Sequence, residues 1–137
     1  MSPKTIAMIA ACVGVFGATT PASAHHSFAS VFDADKPVEV HGVVVEIRLQ
    51  NPHSWFYVDV TDPDGKVVRW GFEGSTPTSL IRSGFKPNSL KVGDEVIVKG
   101  SHARDMSKNE GAARSLTLKD GRAFIVGPLG NEADSKQ

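Results

Sequence analysis

The chain has 137 residues, of which 40% are hydrophobic and 22% charged, and its 15 basic residues balance its 15 acidic ones. This length predicts a single folded domain. The charge balance lacks the basic excess that marks a nucleic-acid-binding domain, so we expect no nucleic-acid partner.

The first 24 residues have the composition of a secretory signal peptide. Lys4 opens a short positive region, an apolar run covers residues 6–16, and Ala22-Ser23-Ala24 is a small-residue cleavage site. An apolar run of about 11 residues is too short to cross a bilayer, which takes roughly 20. We therefore expect cleavage after Ala24, a mature chain without a membrane span, and a periplasmic or secreted location. A retained N-terminal anchor is the alternative.

The only cysteine, Cys12, falls inside this leader. The mature chain would then contain neither a disulfide nor a thiolate metal site. Cleavage removes Lys4 and no acidic residue, which leaves a net charge of about −1. A domain of roughly 110 residues can fold on its hydrophobic core alone.

A lead-in segment, residues 25–37, precedes the first strand. Phe28 and Phe32 are four residues apart, a spacing that lets one helical turn anchor both rings on the core. Pro37 ends any helix before the strand begins.

The first strand is predicted over residues 38–50, where valine and isoleucine dominate. Gly42 early in this run predicts a bulge or a tight bend. A strand of this length has to curve if it belongs to a small barrel. Asn51-Pro52 then stops it.

A hairpin follows, closed by Asp62-Pro63-Asp64-Gly65. The proline presets φ at the second turn position and the glycine supplies a positive φ, as in a type I turn with a bulge. This turn pairs Asp62 with Lys66 and sets the register of both strands. The pairs expected to be buried are Val60 with Val68, Val58 with Trp70, and Phe56 with Phe72. The pairs expected on the opposite face are Asp59 with Arg69, Tyr57 with Gly71, and Trp55 with Glu73.

A short helix comes after the hairpin, with Ser75 or Thr76 as its N-cap, Pro77 in its first turn and Gly84 as its stop. Later strands are predicted over residues 95–101, 113–118 and 123–126. The polar residues 102–111 predict a mobile loop between them.

The order strand, strand, strand, helix, strand, strand is that of an OB-fold, a five-stranded, partly open Greek-key barrel. We therefore expect an all-β domain with one short helix over residues 38–127 and a flexible tail over residues 128–137. The long curved first strand and the position of the helix make this assignment specific. A simple antiparallel sandwich is the alternative.

The ordered motifs along the mature chain also resemble those of a family of small secreted bacterial proteins classed as a domain of unknown function. The motifs are His25-His26-Ser27-Phe28, Phe32-Asp33, Lys36-Pro37, Asn51-Pro52-His53 with Trp55, Phe72-Glu73-Gly74, and Gly93-Asp94-Glu95-Val96. The resemblance implies an exported OB-like barrel, and it implies no established activity.

A metal site is the first functional hypothesis. Cleavage after Ala24 would leave His25 with a free α-amine, which chelates Cu(II) together with the ring, and His26 or His53 would complete a planar nitrogen site. Glu73 or Tyr57 would be a weak axial neighbour. Cleavage after Ala22 or Ser23 would instead put a histidine at the third position, which also binds Cu(II). The alternative is a solvated terminus that binds nothing.

The other histidines carry weaker signals. His53 lies in the loop after the first strand, which OB-folds use for binding, or it is a structural corner residue bonded to a backbone carbonyl. His41 on the first strand and His102 in the polar loop are expected to be surface residues without a function.

The second hypothesis concerns Trp55 and Tyr57, predicted on the outer face of the hairpin beside Arg69 and Glu73. Exposed aromatic side chains flanked by charges bind sugars or polymer strands in OB-folds. Such a face would take a polymer or a periplasmic partner protein. The alternative is that Phe28 and Phe32 fold over it as a second small core.

The chain contains no nucleophile motif, no phosphate-binding glycine loop and no evident carboxylate pair. We therefore predict an exported binding module rather than an enzyme. Its ligand would be a copper-like transition metal at His25, His26 and His53, or alternatively a polymer or protein on the Trp55/Tyr57 face.

Overall fold

The computed structural model describes residues 27–128, and in this range the protein is mostly β with two short helices. In chain order the elements are α1 Phe28–Val31, β1 Phe32–Arg48, β2 Trp55–Thr61, β3 Val67–Glu73, α2 Pro77–Arg82, β4 Glu95–Ala103, β5 Glu110–Leu118 and β6 Ala123–Ile125. The predicted leader, His25, His26 and the tail from residue 129 lie outside the described residues.

The strands form one six-stranded sheet in the order β3-β2-β1-β4-β5-β6, and neighbours in this order are antiparallel. β3 also pairs with β5 in parallel, through Gly71 with Glu110 and Glu73 with Ala112. The end of β3 is therefore hydrogen-bonded to strands on both of its sides, which brings β2 and β3 round to the beginning of β5.

The hairpin of β2 and β3 has the register that its turn predicts. The Asp62 amide donates to the Lys66 carbonyl at 2.9 Å, and Gly65 has a φ of 82°. Phe56 lies opposite Phe72 and Asp59 opposite Arg69, as expected. The turn chemistry therefore places each hairpin side chain on its predicted face.

The core lies on the inner face of this hairpin. Phe56, Val58 and Phe72 are fully buried, and the half-buried Val60 and Trp70 pack against them. The sixth residue of the predicted core set, Val68, is half-buried. The rest of the core comes mainly from apolar residues of β1, β4, β5 and the segment from α2 to β4. These residues include Val40, Val44, Leu80, Phe85, Leu90, Val96, Val98, Leu116, Leu118 and Val126.

Helix α2 begins and ends as predicted. The Thr76 hydroxyl accepts a hydrogen bond from the Ser79 amide at 3.2 Å, so Thr76 rather than Ser75 is the N-cap. Pro77 opens the helix and Gly84 follows its end with a φ of 92°. Leu80 is the buried residue by which this helix packs on the core. Within residues 27–128 neither helix is long or apolar enough to span a membrane.

The first strand begins six residues earlier than predicted. Phe32 pairs with Ala103 of β4, and Pro37 stays within the strand at a register shift that follows Asp33. Proline is tolerated in strands at such irregularities, because its missing amide then costs no ladder hydrogen bond. The burial of Phe32 against Ala103 and Ala112 stabilises this early start.

The irregularity predicted at Gly42 lies instead between Val44 and Glu46. Gly42 serves a different purpose, because a Cβ at this position would overlap the Asp59 carbonyl oxygen and lie 2.7 Å from a Val58 methyl group. The glycine allows β1 and β2 to approach closely. The shift at Val44 then brings Glu46 opposite Tyr57.

The loop predicted over residues 102–111 is shorter, because β4 continues to Ala103 and β5 starts at Glu110. The prediction that His102 is a surface residue is wrong. His102 is only 9% exposed, its ring packs edge-on to Trp70 with centroids 5.3 Å apart, and its Nδ1 lies 2.8 Å from the Ala103 carbonyl oxygen. Pairing of β4 with both β1 and β5 at this level buries the ring.

Candidate ligand-binding face

Two aromatic side chains occupy the outer face of β2. Trp55 and Tyr57 are two residues apart on the strand, so they point to the same side of the sheet. Their ring centroids are 6.1 Å apart and their planes differ by 18°. Both side chains are half-buried. We call this pair the aromatic platform.

A glycine on β3 allows the platform to form. Gly71 lies opposite Tyr57, and a Cβ at Gly71 would come within 3.2 Å of the Tyr57 ring and 3.6 Å of the Trp55 ring. The two rings therefore share the space above the bare backbone of β3. An aromatic residue that covers a cross-strand glycine is a known stabilising arrangement in sheets.

An ion pair borders the platform on the side of the hairpin turn. Arg69 donates to both carboxylate oxygens of Asp59, at 2.7 Å and 3.1 Å. Such a bidentate pair fixes both side chains in one plane. Hydrogen bonding to Arg69 holds the pKa of the Asp59 carboxyl below its ordinary value of 3.8.

A second ion pair comes from the end of β1. Glu46 lies opposite Tyr57 and Arg48 opposite Trp55. Arg48 donates to the Glu46 carboxylate at 2.5 Å, and its guanidinium carbon lies 4.9 Å from the centroid of the Tyr57 ring. A cation at this distance is attracted by the ring quadrupole, so Arg48 orients Tyr57 as well as neutralising Glu46.

The third pair is His53 with Glu73. The His53 Nδ1 lies 2.8 Å from a Glu73 carboxylate oxygen, and the two side chains are 34% and 23% exposed. Backbone hydrogen bonds extend the hairpin ladder past Trp55, from the Ser54 amide to the Ser75 carbonyl and from the Gly74 amide to the Ser54 carbonyl. This extension holds His53 beside Glu73, where the sequence had suggested a backbone carbonyl as the alternative partner.

The structure therefore brings five of the predicted site residues onto or beside one face: His53, Trp55, Tyr57, Arg69 and Glu73. The remaining two, His25 and His26, lie outside the described residues. His41 is exposed and bonded to Glu39 at 2.8 Å. Across residues 27–128, histidine, cysteine and acidic side chains form no group of three or more that could hold a metal ion.

The phenylalanines of the lead-in segment pack elsewhere. Phe32 is buried against Ala103 of β4 and Ala112 of β5, and the Phe28 ring lies on Phe32 with centroids 5.4 Å apart. This packing differs from the alternative in which Phe28 and Phe32 fold over Trp55 and Tyr57, and both platform rings keep part of their surface exposed.

Sequence reasoning missed the roles of Arg48, Glu46 and Gly71. The hairpin register already put Gly71 opposite Tyr57, and a glycine across from an aromatic residue is a usable signal. The sequence contains no comparable signal for Arg48 and Glu46, because the face of β1 on which they lie depends on the irregularity after Val44.

The Asp59–Arg69 pair predicts a pH dependence of stability. The pKa of Asp59 is lowered in the folded protein, so its contribution is present above the unfolded value and is lost as the pH falls through the folded value. We expect Asp59→Asn to reduce the loss of stability between pH 7 and about pH 3. Urea midpoints at the two pH values measure this. An unchanged difference between the midpoints would contradict the assignment.

Comparisons with known proteins bear on the family alone. Neither a search of curated proteins nor one of solved structures found a match. A family model does match, over residues 12–113, which is most of the chain. The chain belongs to this family, a family of unknown function designated DUF6152.

Proposed function

We propose that this protein is a binding module that holds an extended polymer on the aromatic platform. The observation that carries the proposal is the pair of half-exposed, nearly parallel rings of Trp55 and Tyr57 above Gly71, bordered by charged pairs. Rings fixed in this way offer flat apolar surface at little entropic cost, because their position is set before a ligand arrives.

The pairing scheme supports an OB-like barrel as the scaffold. The pairs β3–β2, β2–β1, β1–β4, β4–β5 and β5–β3 form a closed cycle, with a helix between β3 and β4. That is the connectivity expected of a five-stranded Greek-key barrel, to which β6 adds a short outer strand. Ligands of OB-folds bind on the face of strands 2 and 3, where the platform lies.

Export is part of the proposal. The composition of residues 1–24 favours a leader cleaved after Ala24 and a periplasmic or secreted location. A module in that compartment meets cell-envelope polymers and other exported proteins.

Substitution of Trp55 tests the main proposal. We expect Trp55→Ala to abolish polymer binding and to lower the free energy of unfolding by only about 1–2 kcal/mol, because the ring is half-buried. Binding is measured on a panel of polysaccharides and unstructured peptides, and stability by thermal melts. Ile81→Ala is the control, since Ile81 is 65% exposed on α2. Undiminished binding by Trp55→Ala would refute the proposal.

Copper binding is the second candidate, because the position of His53 favours it. A histidine that ligates a metal through one ring nitrogen is commonly oriented by a carboxylate at the other, and Glu73 lies 2.8 Å from His53 Nδ1. The α-amine of His25, its ring, and His26 or His53 would supply the nitrogen ligands.

Copper titration tests this candidate. Protein that begins at His25 should bind one Cu(II) with nitrogen hyperfine structure in its EPR spectrum, and affinity should fall below about pH 6, because imidazole ligands must lose their protons. One extra residue before His25 moves the α-amine and should weaken binding by orders of magnitude, whereas His41→Ala should not. Equal affinity of the extended protein would exclude the site, as would unchanged spectra of both His26→Ala and His53→Ala.

A further inference from the structure

We infer that the ligand of the aromatic platform is a neutral glycan, a chain of uncharged pyranose sugars; this inference rests on the proposed function. A pyranose ring is amphipathic, with C–H bonds on its faces and hydroxyl groups around its edge. A matching site needs flat apolar surface for the face and mixed hydrogen-bonding groups for the edge. The platform provides the flat surface, and its border, the three charged side-chain pairs around it, provides the hydrogen-bonding groups.

The flat surface comes from the two rings. Their planes are within 18° of parallel and their centroids are 6.1 Å apart. Gly71 leaves no side chain between the rings and β3. Aromatic rings bury large areas with few rotatable bonds, so stacking on C–H faces is the main attraction.

The border has little net charge and many polar atoms. Each guanidinium group beside the platform is paired with a carboxylate, Arg48 with Glu46 and Arg69 with Asp59. Glu73 is paired with His53. A carboxylate has about four acceptor sites and a guanidinium five donors, so these pairs retain capacity for hydroxyl groups, which both donate and accept.

The same charges argue against other ligands. Three carboxylates and two guanidinium groups surround the rings, so a polyanion would meet a slightly negative face. A cationic peptide would find each carboxylate already paired, with Arg48, Arg69 or His53. A proline-rich peptide can stack on the rings but has no hydroxyl groups for the border. Charge complementarity therefore favours an uncharged, hydroxyl-rich chain.

Calorimetric titration of the purified protein with defined oligomers tests the inference. The probes are cellohexaose and chitohexaose as neutral glycans, oligogalacturonate as a polyanion, and decaproline as a peptide. We expect saturable binding of a neutral glycan that changes less than about twofold between about 0.05 and 0.5 M salt, because no ligand charge is screened.

Variants locate the binding. Trp55→Ala should weaken it at least about tenfold and Trp55→Phe less than about threefold, since phenylalanine keeps a flat ring. Tyr57→Ala is a second variant with the same expectation as Trp55→Ala. Phe28→Ala, which removes an exposed aromatic ring on α1, should leave the affinity unchanged.

Two results would overturn the inference, and they differ in what they say of the proposed function. If oligogalacturonate or decaproline binds most tightly and depends on Trp55, the glycan assignment is wrong and the polymer-binding function stands. If no probe binds in a way that depends on Trp55 or Tyr57, both are wrong.

Discussion

Phe56→Ala is expected to lower the free energy of unfolding by about 3–5 kcal/mol, the range for truncation of a buried aromatic residue. Phe56 is 0% exposed and packs edge-on to Phe85 with ring centroids 5.9 Å apart. A Cβ on Gly74 would lie 2.8 Å from the Phe56 ring, so the backbone at Gly74 approaches the ring closely. Truncation would leave a cavity among this backbone and the buried side chains of the core.

Chemical denaturation measures the loss, and the same hairpin offers a control. Val67 is 56% exposed, and Val67→Ala should change the free energy of unfolding by no more than about 0.5 kcal/mol. A cost for Phe56→Ala as small as that of the control would mean that the hairpin does not form the centre of the core.

The second large effect is expected at Gly100. A Cβ at this position would overlap the Ala112 carbonyl oxygen and lie 2.9 Å from its carbonyl carbon and 3.1 Å from the Ala113 Cα. All three are backbone atoms of β5, at the register shift that follows Lys99. We expect Gly100→Ala to cost about 3 kcal/mol or more, at the upper end of overpacking effects, because a strand cannot rotate away as a side chain can.

Gly93→Ala separates this steric cost from the usual cost of replacing a glycine. Gly93 has a φ of 97° and open space around its Cβ position, so the substitution should cost only about 1–2 kcal/mol of left-handed strain. Urea denaturation of both variants gives the comparison. Equal losses would show that β4 and β5 can separate at Gly100.

The close approach at Gly100 also bears on how the scaffold holds the aromatic platform. The close approach at Gly100 belongs to the β4–β5 pair, and β5 pairs in turn with the end of β3. Glu73 belongs to that paired end of β3 and lies opposite Trp55. Rigid pairing on both sides of β3 therefore fixes the distance between Glu73 and the platform rings, which a stacking site requires.

Local chemistry in the sequence determined the hairpin. A proline and a glycine at defined turn positions set the pairing of Asp62 with Lys66, and alternation along two short strands then assigned each side chain to a face. Trp55, Tyr57, Arg69 and Glu73 share the predicted face for this reason. The cap of helix α2 at Thr76 was equally local.

Only the tertiary structure decided which residues meet across longer distances. The early start of β1 at Phe32 depends on pairing with β4, far away in the sequence. The burial of His102 within β4 depends on the pairing of that strand with β1 and β5. Local sequence does not predict such pairing, because a polar segment has the same composition whether it forms a loop or pairs with a neighbouring strand.

The candidate site likewise has features that the sequence predicts and features that only the tertiary structure determines. The platform rings were predictable from alternation, whereas the contact of Arg48 with Tyr57 follows from an irregularity in β1 that shifts the register by one residue. The His53–Glu73 pair and the β3–β5 pairing likewise depend on how the ends of strands meet. Turns and side-chain alternation act over a few residues, while the pairing of distant strands is set by the packing of the whole core.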